Sequence, residues 1–128
     1  MPKKVLVVED HPDAREMLSL YLTSEGYAVV TAEDGQCGLQ VAEAERPDII
    51  ITNLNMPNLD GLEMTKRIRL QPDFGNVPII VLSAITTDEP DILINAGASL
   101  VKNKPVKLHE LVDVIRDALS NISEAKPT

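Results

Sequence analysis

Five short runs of aliphatic and β-branched residues, each followed by a stretch with helical spacing, constrain this chain more than any other feature. The runs are KKVLVVE from Lys3, YAVVTA from Tyr27, DIIIT from Asp48, VPIIVLSA from Val77 and SLVKN from Ser99. Continuous apolar runs of this length suit strands buried on both faces, as in a parallel sheet. After the first run, Pro12 suits an opening helical turn, and Ala14, Met17, Leu18, Tyr21 and Leu22 recur at spacings of three and four until Gly26 ends the pattern. A second helix is predicted from Gly35 to Glu45 with Leu39 and Ala42 inward, and a third from Leu62 to Leu70. In TTDEPDILINAGA, Pro90 fits only a first helical turn, so the fourth helix should be short or irregular. Leu108, Leu111, Val112, Ile115, Leu119 and Ile122 share one face of a fifth helix, the clearest helical period in the chain.

Five βα units with short connections imply an α/β fold, a doubly wound parallel sheet covered by helices on both faces. Right-handed crossovers leave few topologies. The 128 residues suit one domain, expected over residues 1–122, with the polar SEAKPT of residues 123–128 as a structureless tail or the start of a linker. Only 2% of residues are aromatic and Trp is absent, so the core must be aliphatic.

The formal charge of −8 argues against a nucleic-acid surface, which needs clustered Lys and Arg. It favours basic partners or a site that gathers acids around a cation, although solubility accounts for most such charge. A lone cysteine, Cys37, fits a reducing compartment and lacks an activating base beside it. The N-terminal apolar run is too brief for a signal peptide, and no run has transmembrane length. A cytoplasmic location is expected, without membrane contact.

Ligands in open α/β sheets bind beyond the carboxyl ends of the strands. Those ends bring Glu9 and Asp10 from the first strand, Asn53 with Asn55 from the third, Ser83 from the fourth and Lys104 after the fifth. Adjacent acids beside a further oxygen suit a hard cation such as Mg²⁺. A hydroxyl and an ammonium opposite it are what a phosphoryl group needs. Taken singly, an acid pair is usually a solvated loop, Ser83 a cap, Lys104 a surface charge and the asparagines turn residues. Complementary groups from four strand ends make a phosphate-handling pocket the better account.

VLVVEDHPDAREMLSLYLTSEGY, PDIIITNLNMPNLDGLEM, VPIIVLSA, AGAS and KPVKLHEL together resemble the receiver domain of two-component response regulators, in order and over nearly the whole chain. The resemblance implies a flavodoxin-like fold with five helices and strand order 2-1-3-4-5. It implies phosphoryl transfer from a sensor histidine kinase or phosphotransfer protein to an aspartate at the end of the third strand. It makes Glu9 and Asp10 the Mg²⁺-holding acids and the Asn55 backbone carbonyl a further ligand. Ser83 and Lys104 become the phosphoryl-binding pair, and the Lys104–Pro105 bond is expected to be cis. Met56, Pro57, Asp60 and Gly61 match the turn after the acceptor, with Asp60 as the cap of the third helix.

Two positions depart from the family. Asn53 stands where the phosphoacceptor aspartate is expected, and a neutral amide cannot form an acyl phosphate. Its lost charge should weaken Mg²⁺, of which Glu9, Asp10, Asn53 and Asn55 would be the ligands. Val101 stands where an aromatic switch residue is common on the fifth strand. Three readings stay open: an ordinary receiver held unphosphorylated by the substitution, a phosphorylation-independent pseudo-receiver that binds proteins, and a metal-dependent phosphatase. The last lacks a placed base or nucleophile, since His11 is expected in solvent and His109 on the fifth helix. No enzymatic activity is expected. No DNA-binding or enzymatic output segment is expected within these 128 residues, which would form a domain standing alone or cut from a longer chain, and dimerisation through the fourth-helix to fifth-helix face is a further expectation.

Overall fold

A computed structural model describes residues 2–84 and 89–125, with the backbone alone for residues 89, 90 and 121–125. Five strands alternate with five helices: β1 Lys4–Val8, α1 Pro12–Ser24, β2 Ala28–Ala32, α2 Gly35–Glu45, β3 Ile49–Asn53, α3 Gly61–Arg69, β4 Ile79–Ser83, α4 Glu89–Ala96, β5 Leu100–Asn103 and α5 Leu108–Ala125. A short 3₁₀ turn, Pro72–Phe74, succeeds α3.

The strands form one parallel sheet in the order β2-β1-β3-β4-β5. β1 and β3 lie centrally with Val5 opposite Ile49 and Val8 opposite Thr52, so their carboxyl ends finish at the same height. This register brings Glu9 and Asn53, 44 residues apart in sequence, within hydrogen-bonding reach. One face of the sheet packs Leu6, Val8, Ile50, Ile79 and Val81 against Met64, Ile68 and Leu93. The other packs Val5, Val7, Ile49, Ile51 and Ile80 against Leu18, Leu22, Leu111, Val112 and Ile115. Alternation along each strand thus feeds two cores, and every residue of β3 and β4 is buried.

The expected elements are all present, with local differences. Met17, expected inward with its helical stripe, is 58% exposed, and only Leu18 and Leu22 of α1 are buried. Both reach the sheet, whereas Met17 lies at the margin of the stripe. The third helix begins at Gly61 and stops at Arg69, leaving Leu70 81% exposed. α5 runs on through Ala125, past the expected end of the domain at residue 122, because Glu124 and Ala125 are good helix formers. Of the expected tail, residues 126–128 lie outside the described residues, as does the side chain of Ile122. Residues 85–88, which include the first three of the predicted weak segment, lie outside them too, and α4 beyond them is short, at eight residues.

Candidate functional site

The carboxyl ends of β1 and β3 present Glu9, Asp10 and Asn53 to one another. Glu9 is 4% exposed and Asn53 3%, so polar groups here need partners. Asn53 Nδ2 donates to Glu9 Oε2 at 2.6 Å and to Asp10 Oδ1 at 3.2 Å. A single amide N–H₂ group therefore bridges the acid pair. Burial pushes the Asp10 carboxyl up, but hydrogen bonding, first from Asn53, outweighs it and holds the group below its ordinary value.

Glu9 Oε2 also accepts from the His11 backbone N–H at 3.1 Å. The His11 ring turns back over the pair, with Nδ1 3.2 Å from Glu9 Oε2 and 3.6 Å from Asp10 Oδ1. Lys104 Nζ lies 4.0 Å from the other Glu9 oxygen. Ser83, 1% exposed, ends β4 beside Asn103, and its carbonyl accepts from the Lys104 N–H at 2.7 Å. The Lys104–Pro105 bond is cis. Glu9, Asp10, Asn53 and Lys104 thus converge, with Ser83 at the neighbouring strand end. Asn55 is exposed in the loop after β3, and Val101 is half-buried against the Leu6-containing core.

The loop after Asn53 is fixed from both ends. The Gly61 N–H donates to the Leu54 carbonyl at 2.7 Å, and a Cβ on Gly61 would collide with the Asn53 carbonyl oxygen. Asn58, at φ 68°, donates to Asp34 Oδ2 at 2.7 Å, while Asp34 Oδ1 accepts from Cys37 N–H and caps α2. Those two bonds, Cys37 first and Asn58 second, hold the Asp34 carboxyl below its ordinary value despite its burial. Asp60 caps α3 by accepting from Glu63 N–H at 2.9 Å.

Three participants escape a reading of the sequence. His11, expected in solvent, keeps 75% of its side chain exposed yet reaches the acid pair. Its adjacency to Glu9 and Asp10 was the available signal. Arg15 donates to the Glu9 carbonyl at 2.8 Å, a link one helical turn into α1. The Asp34–Asn58 bond joins residues 24 positions apart and leaves no local signature.

The donor set fits a divalent cation. Glu9, Asp10 and His11 each offer a ligand atom, all within 4.8 Å of one another. Asn53 Oδ1 is buried without a hydrogen-bond partner, an oxygen left available for such an ion. The two ends of the amide are nearly isosteric, so a half-turn of the side chain presents its oxygen to the acids. A cleft of about 460 Å³ between β2 and α2, lined by Val30, Val41 and Glu45 among others, shares no residue with this cluster.

Residues 5–116 match the response regulator receiver domain family. The chain belongs to that family. It is 38% identical over 127 residues to the transcriptional regulatory protein GlrR of Escherichia coli, covering 97% of this chain and 28% of the relative. It is 34% identical over 129 residues to the alkaline phosphatase synthesis transcriptional regulatory protein PhoP of Bacillus subtilis, covering 100% of this chain and 53% of that one. The chain thus spans about half or less of these regulators. The structure of the chemotaxis response regulator CheY4 of Vibrio cholerae superposes with a TM-score of 0.86 at 34% identity, covering 92% of this chain and 99% of that one. A CheY-like receiver domain from Methanospirillum hungatei, at 24% identity, gives a TM-score of 0.90 and speaks to the fold alone. The flavodoxin-like architecture, strand order and role in two-component signalling are those of the family. Among the described residues no helix is long and apolar enough to cross a membrane.

Proposed function

We propose that this receiver domain is held in the unphosphorylated state by Asn53. The observation that carries the reading is the buried Asn53 amide, which donates to both Glu9 and Asp10 where an acceptor carboxylate would stand. In a competent site a carboxylate oxygen forms a bond to phosphorus as the bond to the donor's leaving group breaks, giving an acyl phosphate. The amide of Asn53 cannot complete that exchange.

The rest of the pocket suits phosphoryl transfer. Glu9 and Asp10 would hold the cation, aided by the Asn55 carbonyl, and Mg²⁺ there would neutralise charge on the phosphoryl oxygens. Ser83 and Lys104 would supply the hydroxyl and the ammonium for the same oxygens. Loss of one carboxylate makes Mg²⁺ weaker than in an aspartate-bearing site. A sensor histidine kinase or phosphotransfer protein is the partner, and the α4 to α5 face is the proposed site of self-association.

A phosphorylation-independent protein-binding module is the second reading. Ile92 and Ile94 on α4 and Leu100 on β5, at 53%, 46% and 38% exposure, favour it. Intact mass after incubation with Mg²⁺ and a small acyl phosphate separates the two. The wild-type chain should stay unmodified and Asn53→Asp should gain one phosphoryl group. An Asn53→Asp protein that stays unmodified overturns the first reading in favour of the second.

A further inference from the structure

We propose that Glu9, Asp10 and His11, with the Asn53 amide oxygen, form a site for a borderline divalent ion of the Co²⁺ or Zn²⁺ class, with His11 Nδ1 as a direct ligand. The proposal rests on Glu9 and Asp10 forming a cation site, but not on phosphorylation. Its geometry is the convergence of one oxygen from each acid and one ring nitrogen within 4.8 Å. The independent observation is Asn53 Oδ1, buried and without a partner in a side chain that is 3% exposed.

Charge and ligand softness point the same way. Mg²⁺ prefers oxygen ligands in an octahedral shell, gives up water reluctantly and relies on carboxylate charge. An asparagine at the end of β3 leaves two carboxylates rather than three to hold it. Imidazole nitrogen instead suits Zn²⁺ and its neighbours, whose affinity for mixed N/O sites exceeds that of hard cations. His11 Nδ1 already lies 3.2 Å from Glu9 Oε2 and 3.6 Å from Asp10 Oδ1, and its exposed ring can adjust without disturbing the core. In the resting arrangement the Asn53 N–H₂ group occupies the space between the acids. Binding exchanges that donor for the amide oxygen, a turn between nearly isosteric orientations. The pocket thereby changes its cation preference at the same position where it loses its acceptor.

Titration calorimetry with Co²⁺ and, separately, Mg²⁺ tests the assignment on the wild-type chain, His11→Gln and Asn53→Asp, with circular dichroism confirming the fold. His11→Gln should weaken Co²⁺ by about tenfold or more and leave Mg²⁺ unchanged, the signature of a lost nitrogen ligand. Asn53→Asp should strengthen Mg²⁺ more than Co²⁺ and so narrow the preference. Co²⁺ affinity indifferent to His11→Gln, or no Co²⁺ binding at all, overturns the proposal. Neither result bears on whether Asn53→Asp accepts a phosphoryl group, so the two readings fail separately.

Discussion

The carboxyl ends of β1 and β3 and the edge formed by α4 and β5 belong to one sheet yet are built differently. Every residue of β3 is buried, and Asn53 at its carboxyl end is bonded directly to Glu9. β5 has no buried residue, and Leu93 is the one fully buried large side chain among the described residues of α4. Ile92, Ile94 and Leu100 keep between about a third and a half of their surface in solvent. A site that positions oxygens to within tenths of an ångström needs a rigid floor. A face that meets partners or shifts between states needs fewer internal ties. The two regions divide those demands.

Truncation of the floor should have the largest effect. Ile50→Ala, at a position with no exposure in β3, should cost about 3–4 kcal/mol in urea unfolding, and a cost below about 1 kcal/mol would break the contrast. Gly61→Ala forces a methyl group against the Asn53 carbonyl oxygen and should cost roughly 2–3 kcal/mol while disturbing the acid pair. The same unfolding assay, with a metal titration, reads both effects.

Arg69 adds side-chain ties between the α4–β5 edge and the rest, beyond the β4–β5 ladder. Arg69 Nε donates to the Gly97 carbonyl at 2.9 Å and its Nη1 to the Phe74 carbonyl at 2.6 Å. Burial lowers its guanidinium pKa. Arg69→Ala should cost about 2 kcal/mol and raise amide exchange in α4 and β5 more than in β3. Equal exchange in all three would argue that the edge is as rigid as the floor.

Acid titration sharpens the contrast further. Asp34 has a folded pKa below its ordinary value of 3.8, so its contribution is present above that value and is lost as pH falls through the folded pKa. Asp34→Asn should flatten the acid limb of the stability curve below about pH 4. It should also loosen the loop that Asn58 pins. An unchanged acid limb would assign acid sensitivity elsewhere. At the small end, Ile92→Ala should change stability by no more than about 0.5 kcal/mol.

Much of the floor was legible in the residues because a central parallel strand leaves a continuous apolar signal and its end falls at a fixed place. Glu9, Asp10 and Asn53 lie where two such runs stop. Gly26 and Asp60 were legible because a helix end has strong local chemistry: Gly26 adopts φ 97° and Asp60 accepts from Glu63 N–H. Met17 was not, since spacings of three and four define a stripe wider than the sheet covers. His11 stays largely in solvent as expected, whereas the backbone bond to Glu9 that keeps its ring beside the acid pair has no local signature. The Asn58–Asp34 bond depends on a positive φ at Asn58 and on α2 meeting the β3–α3 loop, and neither is written in local sequence.

A pocket that lacks its acceptor and nothing else should regain its chemistry when the carboxylate is restored. The direct measurement is phosphoryl gain by intact mass, with Mg²⁺ and a small acyl phosphate, for Asn53→Asp beside Asn53→Asp/Lys104→Met. A phosphorylated Asn53→Asp protein is expected, with a much slower or absent gain once the ammonium is removed. An Asn53→Asp protein that never acquires the group, or that acquires it equally without Lys104, would contradict this.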